Sequence, residues 1–363
     1  MAVPSRRLSF FAVTALASVL ALTACVPSGN SGDKDTPSGD ASGSTQSSTV
    51  RVVVHDSFQL SDEQKASFTE KTGYDLEIVT NGDGGALVNK LILTKDSPLG
   101  DVAYGVDNTF ASRGLDENVF APYTSTVEGE QGKSMRIEGD DTLTAVDYGD
   151  VCLNIDSDHF ATVDLVEPLE KNGFFNPANA GMAVVTNPAT SSPGLSFLLA
   201  TISKYGEDGY LDYWKQLKDN GLKIVDGWED AYYVDFTATG DGDRPVVLSY
   251  ASSPAVTLTE DGSRTTTEAL LDTCFRQVEY AGVLEGAKNP EGAQAFIDYL
   301  LSDEYQNTIP GAMYMYPVSD TATLPDDWAK FAPVPHSTNE LDPALIAKNR
   351  DQWIKDWSAA IIG

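Results

Sequence analysis

From residue 50 onward the sequence alternates short β-branched runs with amphipathic stretches, and few folds accommodate that rhythm. Residues 50–55 read as a strand. Ser61-Asp62-Glu63-Gln64 has capping-box spacing, in which the Ser and Gln side chains satisfy each other's backbone N–H groups; it opens a helix to about residue 72, which Gly73 ends. Residues 75–79 form the next strand. After Asn81-Gly82-Asp83-Gly84-Gly85, residues 86–94 place Leu87, Leu91 and Ile92 on one helical face, and residues 101–105 return to strand. Such β-α-β-α-β units imply an α/β fold with a largely parallel sheet covered on both faces. The rhythm resumes with a strand at 183–185, helices at 193–205 and 210–217, a strand at 222–225, a helix at 229–236 and a strand at 246–250. Helices at 290–302 and 343–361 close the chain, and no internal repeat is present.

The N-terminal residues obey different rules. Arg6 and Arg7, an apolar run over residues 8–22 and then Leu22-Thr23-Ala24-Cys25 have the layout of a removed export signal, too short and wrongly flanked for a membrane span. Cysteine directly after Leu-Thr-Ala resembles the lipobox of bacterial lipoproteins, so Cys25 is expected to be acylated (palmitate) and to become the first residue of the mature chain, anchored in a lipid bilayer. The alternative is an ordinary secretory signal with a chance cysteine. Residues 26–49 are rich in Pro, Ser, Gly and Thr and nearly devoid of large apolar side chains, so they cannot offset their ordering entropy by burial. They read as a disordered tether spanning roughly 25–30 Å. The expected organisation is a signal at 1–24, a lipidated cysteine and tether at 25–49, and a soluble body beyond.

The body is long enough for two domains, and 41% hydrophobic residues suffice for their cores. The formal net charge is −30, and removal of Arg6 and Arg7 makes it more negative, which disfavours nucleic acid as a partner; the acidity reads first as solubility in an exposed, salty compartment and second as a modest bias toward cationic ligands. No H-E-x-x-H, G-x-S-x-G or P-loop motif occurs, and the Asp235–Gly240 stretch lacks the twelfth-place Glu of a calcium loop. No cofactor or metal is expected.

Eight pieces occur in one order along the body: Val54-His55-Asp56-Ser57-Phe58, Asp83-Gly84, Gly105-Val106-Asp107-Asn108, Asp147-Tyr148-Gly149, Asn187 through Leu195, Gly227-Trp228-Glu229-Asp230-Ala231-Tyr232, Leu248 through Ala255, and Met315-Tyr316-Pro317-Val318. Together they resemble the thiamine-binding proteins of ABC importers. The resemblance implies a two-lobed, type II periplasmic-binding-protein-like fold in which each lobe is a mostly parallel sheet flanked by helices. Lobe 1 is expected to comprise residues 50–148 and 275–363, with lobe 2 at 149–274 and the ligand in the cleft between them. It also implies a monomeric, non-enzymatic, exported lipoprotein on the outer face of the cell membrane, which hands its ligand to a membrane permease.

Thiamine joins a cationic thiazolium to an aminopyrimidine and a hydroxyethyl arm, so its cleft needs aromatic faces, a carboxylate and neutral hydrogen-bonding groups. Trp228, Tyr232, Tyr250 and Tyr314 fall at or beside family positions and are candidates for the faces, against the alternative of ordinary core packing. Asp83 and Gly84 stand where a loop enters a helix, either facing the ligand or forming an Asx cap. Thr190 and Ser191 repeat that arrangement at a second helix entry, and Asp56, Ser57 and Ser253 complete the candidate set. His55, Val256 and Tyr314 depart from the Tyr, Tyr and Trp of enteric-type members, with Tyr233 or Tyr280 as possible substitutes. The choice among thiamine, its phosphates and a pyrimidine precursor therefore stays open. Two rivals share the fold: a ferric-iron binder using Tyr232 and Tyr233, and a thiaminase I-like enzyme using Cys152. With Cys25 lipidated, the remaining Cys152 and Cys274 are either a disulfide near the hinge or two free thiols.

Overall fold

Valine-rich strands and apolar helix faces meet in one sheet that crosses the whole body. In the computed structural model, residues 47–332, 334–335 and 338–363 are described; the expected signal, Cys25 and the tether through residue 46 lie outside them. The described residues form one compact unit. Its strands are β1 (Thr49–Val54), β2 (Asp75–Thr80), β3 (Val102–Asp107), β4 (Leu143–Asp156), β5 (Ala183–Thr186), β6 (Lys223–Val225), β7 (Val246–Tyr250), β8 (Thr267–Val283) and β9 (Tyr316–Pro317). They run in the order β2-β1-β3-β8-β4-β7-β5-β6, with β9 added to β4.

The two ends of this sheet are parallel, as the alternating rhythm implies: β1 pairs in parallel with β2 and β3, and β5 with β6 and β7. Its middle is antiparallel, since β8 pairs with β3 and β4, and β4 pairs with β7. β4 and β8 are 14 and 17 residues long, far beyond ordinary strands, and they join the halves. Helices cover the sheet, notably Asp62–Thr72, Gly84–Leu93, Ser192–Tyr205, Tyr210–Asp219, Pro290–Leu300 and Pro343–Trp357. Among the described residues no helix is long and apolar enough to cross a membrane.

Local signals act as their chemistry requires. Ser61 accepts from the Gln64 N–H while Gln64 Oε1 accepts from Ser61 N at 2.7 Å, and Gly73 ends the helix at φ 78°. The second helix begins at Gly84, two residues earlier than its apolar pattern, because Asp83 caps it. Thr49, expected in the tether, instead pairs with Asp75. The expected helix over 229–236 is a wide π-helical turn, Asp230–Asp235, and the last helix likewise ends in a π-turn, Ser358–Ile362.

The ladder between β4 and β8 slips between Val151 and Leu153. There Thr273 Oγ1 accepts from Leu153 N at 2.9 Å, the Asn154 amide donates to the carbonyls of Cys152 and Tyr250, and Cys152 is bonded to Cys274. The disulfide closes a separation of 122 residues where the two long strands lose their regular pairing. A closure of that length removes much unfolded-chain entropy. Replacing both cysteines by serine should therefore cost about 2–5 kcal/mol in urea denaturation. Alkylation of unreduced, denatured protein should find Cys152 and Cys274 blocked, whereas two reactive thiols would contradict this pairing.

Candidate functional site

Three chain segments converge on one carboxylate. Asp83, at the end of the loop after β2, accepts from Gly84 N at 2.6 Å and Ser192 N at 3.1 Å through Oδ1, and from Trp228 N at 3.0 Å through Oδ2. The Asx-cap reading of this residue holds, since it caps its own helix, and it also takes the first N–H of the Ser192–Tyr205 helix. The two helix entries touch elsewhere as well. Ala86 N donates to Thr190 O at 2.9 Å, and the Ser192 hydroxyl donates to Asp107 Oδ2. Gly85 permits this approach, because a Cβ there would lie 2.8 Å from the Thr190 carbonyl carbon and 2.7 Å from the Phe110 ring.

Beside this junction lies a cleft of about 450 Å³, including its open mouth, lined by His55, Ser57, Asp83, Gly84, Ser192, Pro193, Trp228, Tyr250, Gln277, Glu279, Met313 and Met315. Trp228 forms an aromatic wall. Its indole stacks on Tyr232 at 4.7 Å and 17°, and its Nε1–H donates to Ser249 Oγ at 3.0 Å. Tyr250 stands 6.3 Å from Trp228, ring centre to ring centre, and Tyr314 6.5 Å away.

The candidate residues separate by depth. Ser57, Asp83, Gly84, Trp228 and Tyr250 line the cleft. Tyr232 lies beneath Trp228 as its support, and Ser253 is buried, holding Tyr250 N and the Ser249 hydroxyl. Ser191 caps its own helix by accepting from Gly194 N, while the Thr190 hydroxyl donates to Asp226 O. Asp56 and Tyr314 stand beside the lining rather than in it. Of the possible aromatic substitutes, Tyr280 is tied to Met135 O and Tyr233 meets Trp228 edge-on from the exposed side. Sequence reasoning did not place Gln277, Glu279, Met313 and Met315 here; Gln277 and Glu279 share one strand face, but Arg276 beside them breaks the pattern that would have marked it.

The cleft floor is strongly charged. Burial works against the His55 cation, yet Glu279 beside it, with Asp83 and Asp56 farther off, raises its pKa to about 9. Burial likewise works to raise Glu279, but the His55 charge overcomes it and holds the carboxyl below its usual range. Asp83 is pushed up to about 6, first by burial and also by Asp56, against the hydrogen bonds from Ser192 and Gly84. Behind them, burial and then the Glu279 charge push Asp147 well up, and the Tyr104 hydroxyl donates to it. Burial also raises the Tyr232 hydroxyl, and the Cys152 sulfur is already bonded and offers no nucleophile.

Comparison with known proteins gives the family and the fold. A family model described as bacterial extracellular solute-binding protein matches residues 97–336. The thiamine-binding periplasmic protein of Escherichia coli (strain K12) is 30% identical over 311 residues, covering 82% of this chain and 87% of that protein. A solved structure titled periplasmic thiamin binding protein superposes with a TM-score of 0.72 at 28% identity, over 86% of this chain and 96% of that one. Iron-bound HitA from Pseudomonas aeruginosa, at 20% identity and a TM-score of 0.61 over 85% of this chain and 99% of that one, shares the fold.

The close approach of the two helix entries has a direct test. Gly85→Ala forces the Thr190 backbone away and should lower stability by about 1–3 kcal/mol in urea denaturation. An unchanged midpoint would contradict the packed junction.

Proposed function

The chain belongs to the bacterial extracellular solute-binding proteins, and we propose that its solute is thiamine or a thiamine phosphate, captured in the cleft for delivery to an ABC permease. The observation that carries this reading is the charge of the cleft: two carboxylates, Asp83 and Glu279, and a single cationic side chain, His55, face a space walled by Trp228 and Tyr250. A flat cationic ligand satisfies both the surplus carboxylate and the rings. The thiamine-binding relatives support the same choice, while the ferric-binding neighbour supports the fold alone. The protein works as a binder and not as an enzyme, in keeping with relatives named for binding.

Within this proposal Trp228 and Tyr250 provide the faces, Asp83 the counter-charge, and Ser57, Gly84 and Ser192 the neutral contacts. Tyr232 and Ser253 act from behind, by holding Trp228 and Tyr250. Asp56, Thr190, Ser191 and Tyr314 remain candidates from the rim and the two helix entries. The lobes divide at 50–148 with 275–363 against 149–274, and the long pair β4 and β8 carries the hinge. The lipobox-like tetrapeptide supports acylation at Cys25, with the tether holding a monomeric body close to the bilayer.

Calorimetry with thiamine, its monophosphate and an uncharged thiazole analogue tests the reading. Thiamine should bind more tightly than the uncharged analogue, and Trp228→Ala should cost about 1–3 kcal/mol; equal binding of the two ligands would contradict it. A cation favours the ionised form of Asp83, so protons compete with the ligand. Affinity should fall as pH drops through about 6, by up to about tenfold per unit, and this fall should vanish in Asp83→Asn. A flat profile in the parent protein would remove Asp83 as counter-charge. Cys25→Ala should release the protein from membranes with its affinity unchanged, and a variant that still sediments with membranes would contradict acylation.

A further inference from the structure

His55 and Glu279 face each other across the cleft floor, and one atom of each has no hydrogen bond. His55 Nε2 and Glu279 Oε2 lie 3.6 Å apart, an ion pair beyond hydrogen-bond reach. Each residue is more than nine-tenths buried, each atom lacks a hydrogen-bond partner, and both side chains line the cleft. The other Glu279 oxygen is fixed, because Gln277 Nε2 donates to Oε1 at 2.9 Å. Gln277 is in turn contacted by the Tyr250 hydroxyl at 3.4 Å. On the far side, the Gly105 backbone leaves no room behind the imidazole, since a Cβ at Gly105 would collide with the His55 ring. The result is one acceptor and one donor held side by side on strands β1's C-terminal end and β8, both aimed at the same space.

Buried polar atoms without partners are costly, and a ligand that completes them recovers that cost. The complementary edge presents a donor beside an acceptor. A 4-aminopyrimidine has that edge, an exocyclic N–H next to an unprotonated ring nitrogen, whereas a 4-oxopyrimidine presents the inverse, a carbonyl next to a ring N–H. We propose that the His55–Glu279 pair reads the amino edge of the ligand's pyrimidine, with Glu279 Oε2 accepting from the exocyclic amine and His55 Nε2–H donating to the adjacent ring nitrogen. This inference rests on the thiamine reading and adds to it a specificity-determining pair that rejects the oxo form. The imidazole thus gives an edge contact where an aromatic side chain alone would give only a face.

The test is competition binding of thiamine and its 4′-oxo analogue, both carrying the same thiazolium, to the whole mature protein. The parent protein should prefer thiamine by about 10- to 100-fold, the range for a mismatched pair of buried hydrogen bonds. Glu279→Gln should abolish or reverse the preference, because its oxygen stays on Gln277 Nε2 and its N–H₂ then faces the ligand. His55→Phe should weaken thiamine about tenfold and leave the 4′-oxo analogue nearly unchanged. A purely structural role for Glu279 would lower both affinities by one factor and preserve the ratio, and that result overturns the proposal. If the variants fail to fold by circular dichroism, the parent ratio decides alone: no preference overturns the edge reading while leaving thiamine as ligand. Binding of neither compound overturns the thiamine assignment itself and the edge reading with it.

Discussion

Asp83 is the point on which the site depends. Its two oxygens accept three backbone N–H groups from segments that are far apart in sequence, the starts of two helices and the residue that begins the aromatic wall. Backbone donors cannot be swapped by changing side chains, so this carboxylate sets the relative placement of three pieces of main chain. Gly85 makes the approach possible, and the Ser192–Asp107 contact repeats it one layer deeper. Trp228 is therefore positioned from both sides, by its N–H on Asp83 and by its indole on Tyr232 and Ser249.

The same carboxylate is electrostatically uncomfortable, and that discomfort is useful. Burial costs it more than its hydrogen bonds return, which is why its proton affinity rises rather than falls. Neighbouring acids divide the strain among themselves. Glu279 stays charged against His55, while Asp147 retreats toward its neutral form beside Tyr104. What remains facing the cleft is a surplus of negative charge against two aromatic rings, an arrangement that gains most from a planar cation.

Much of this was legible in the sequence where a local rule acts alone. The Ser61–Gln64 box, the Gly73 stop, strand Val246–Tyr250 and the helix from the Ser192-Pro193 entry were readable because each depends on a few adjacent residues. The long strands β4 and β8 were not, because β4 and the second half of β8 are buried on both faces and yet carry polar residues. Asp150 is paired with Arg276, Asn154 caps the Cys152 and Tyr250 carbonyls, and Asp147 bonds Tyr104, so neither alternation nor a clean apolar run survives. Glu279 and Gln277 were hidden for that reason, whereas Asp83, Trp228 and Tyr250 stood out through the motifs around them. The π-turn under Trp228 was likewise invisible, since an α-helix and a π-turn share the same apolar pattern over so few residues.

The most direct measurement of the central claim is native mass spectrometry of the mature protein purified gently from cells that supply its ligand. An added mass equal to one thiamine, or one thiamine phosphate, lost on mild collisional activation, is the result this account predicts. Quantitative occupancy by iron, or by an uncharged solute, would contradict it.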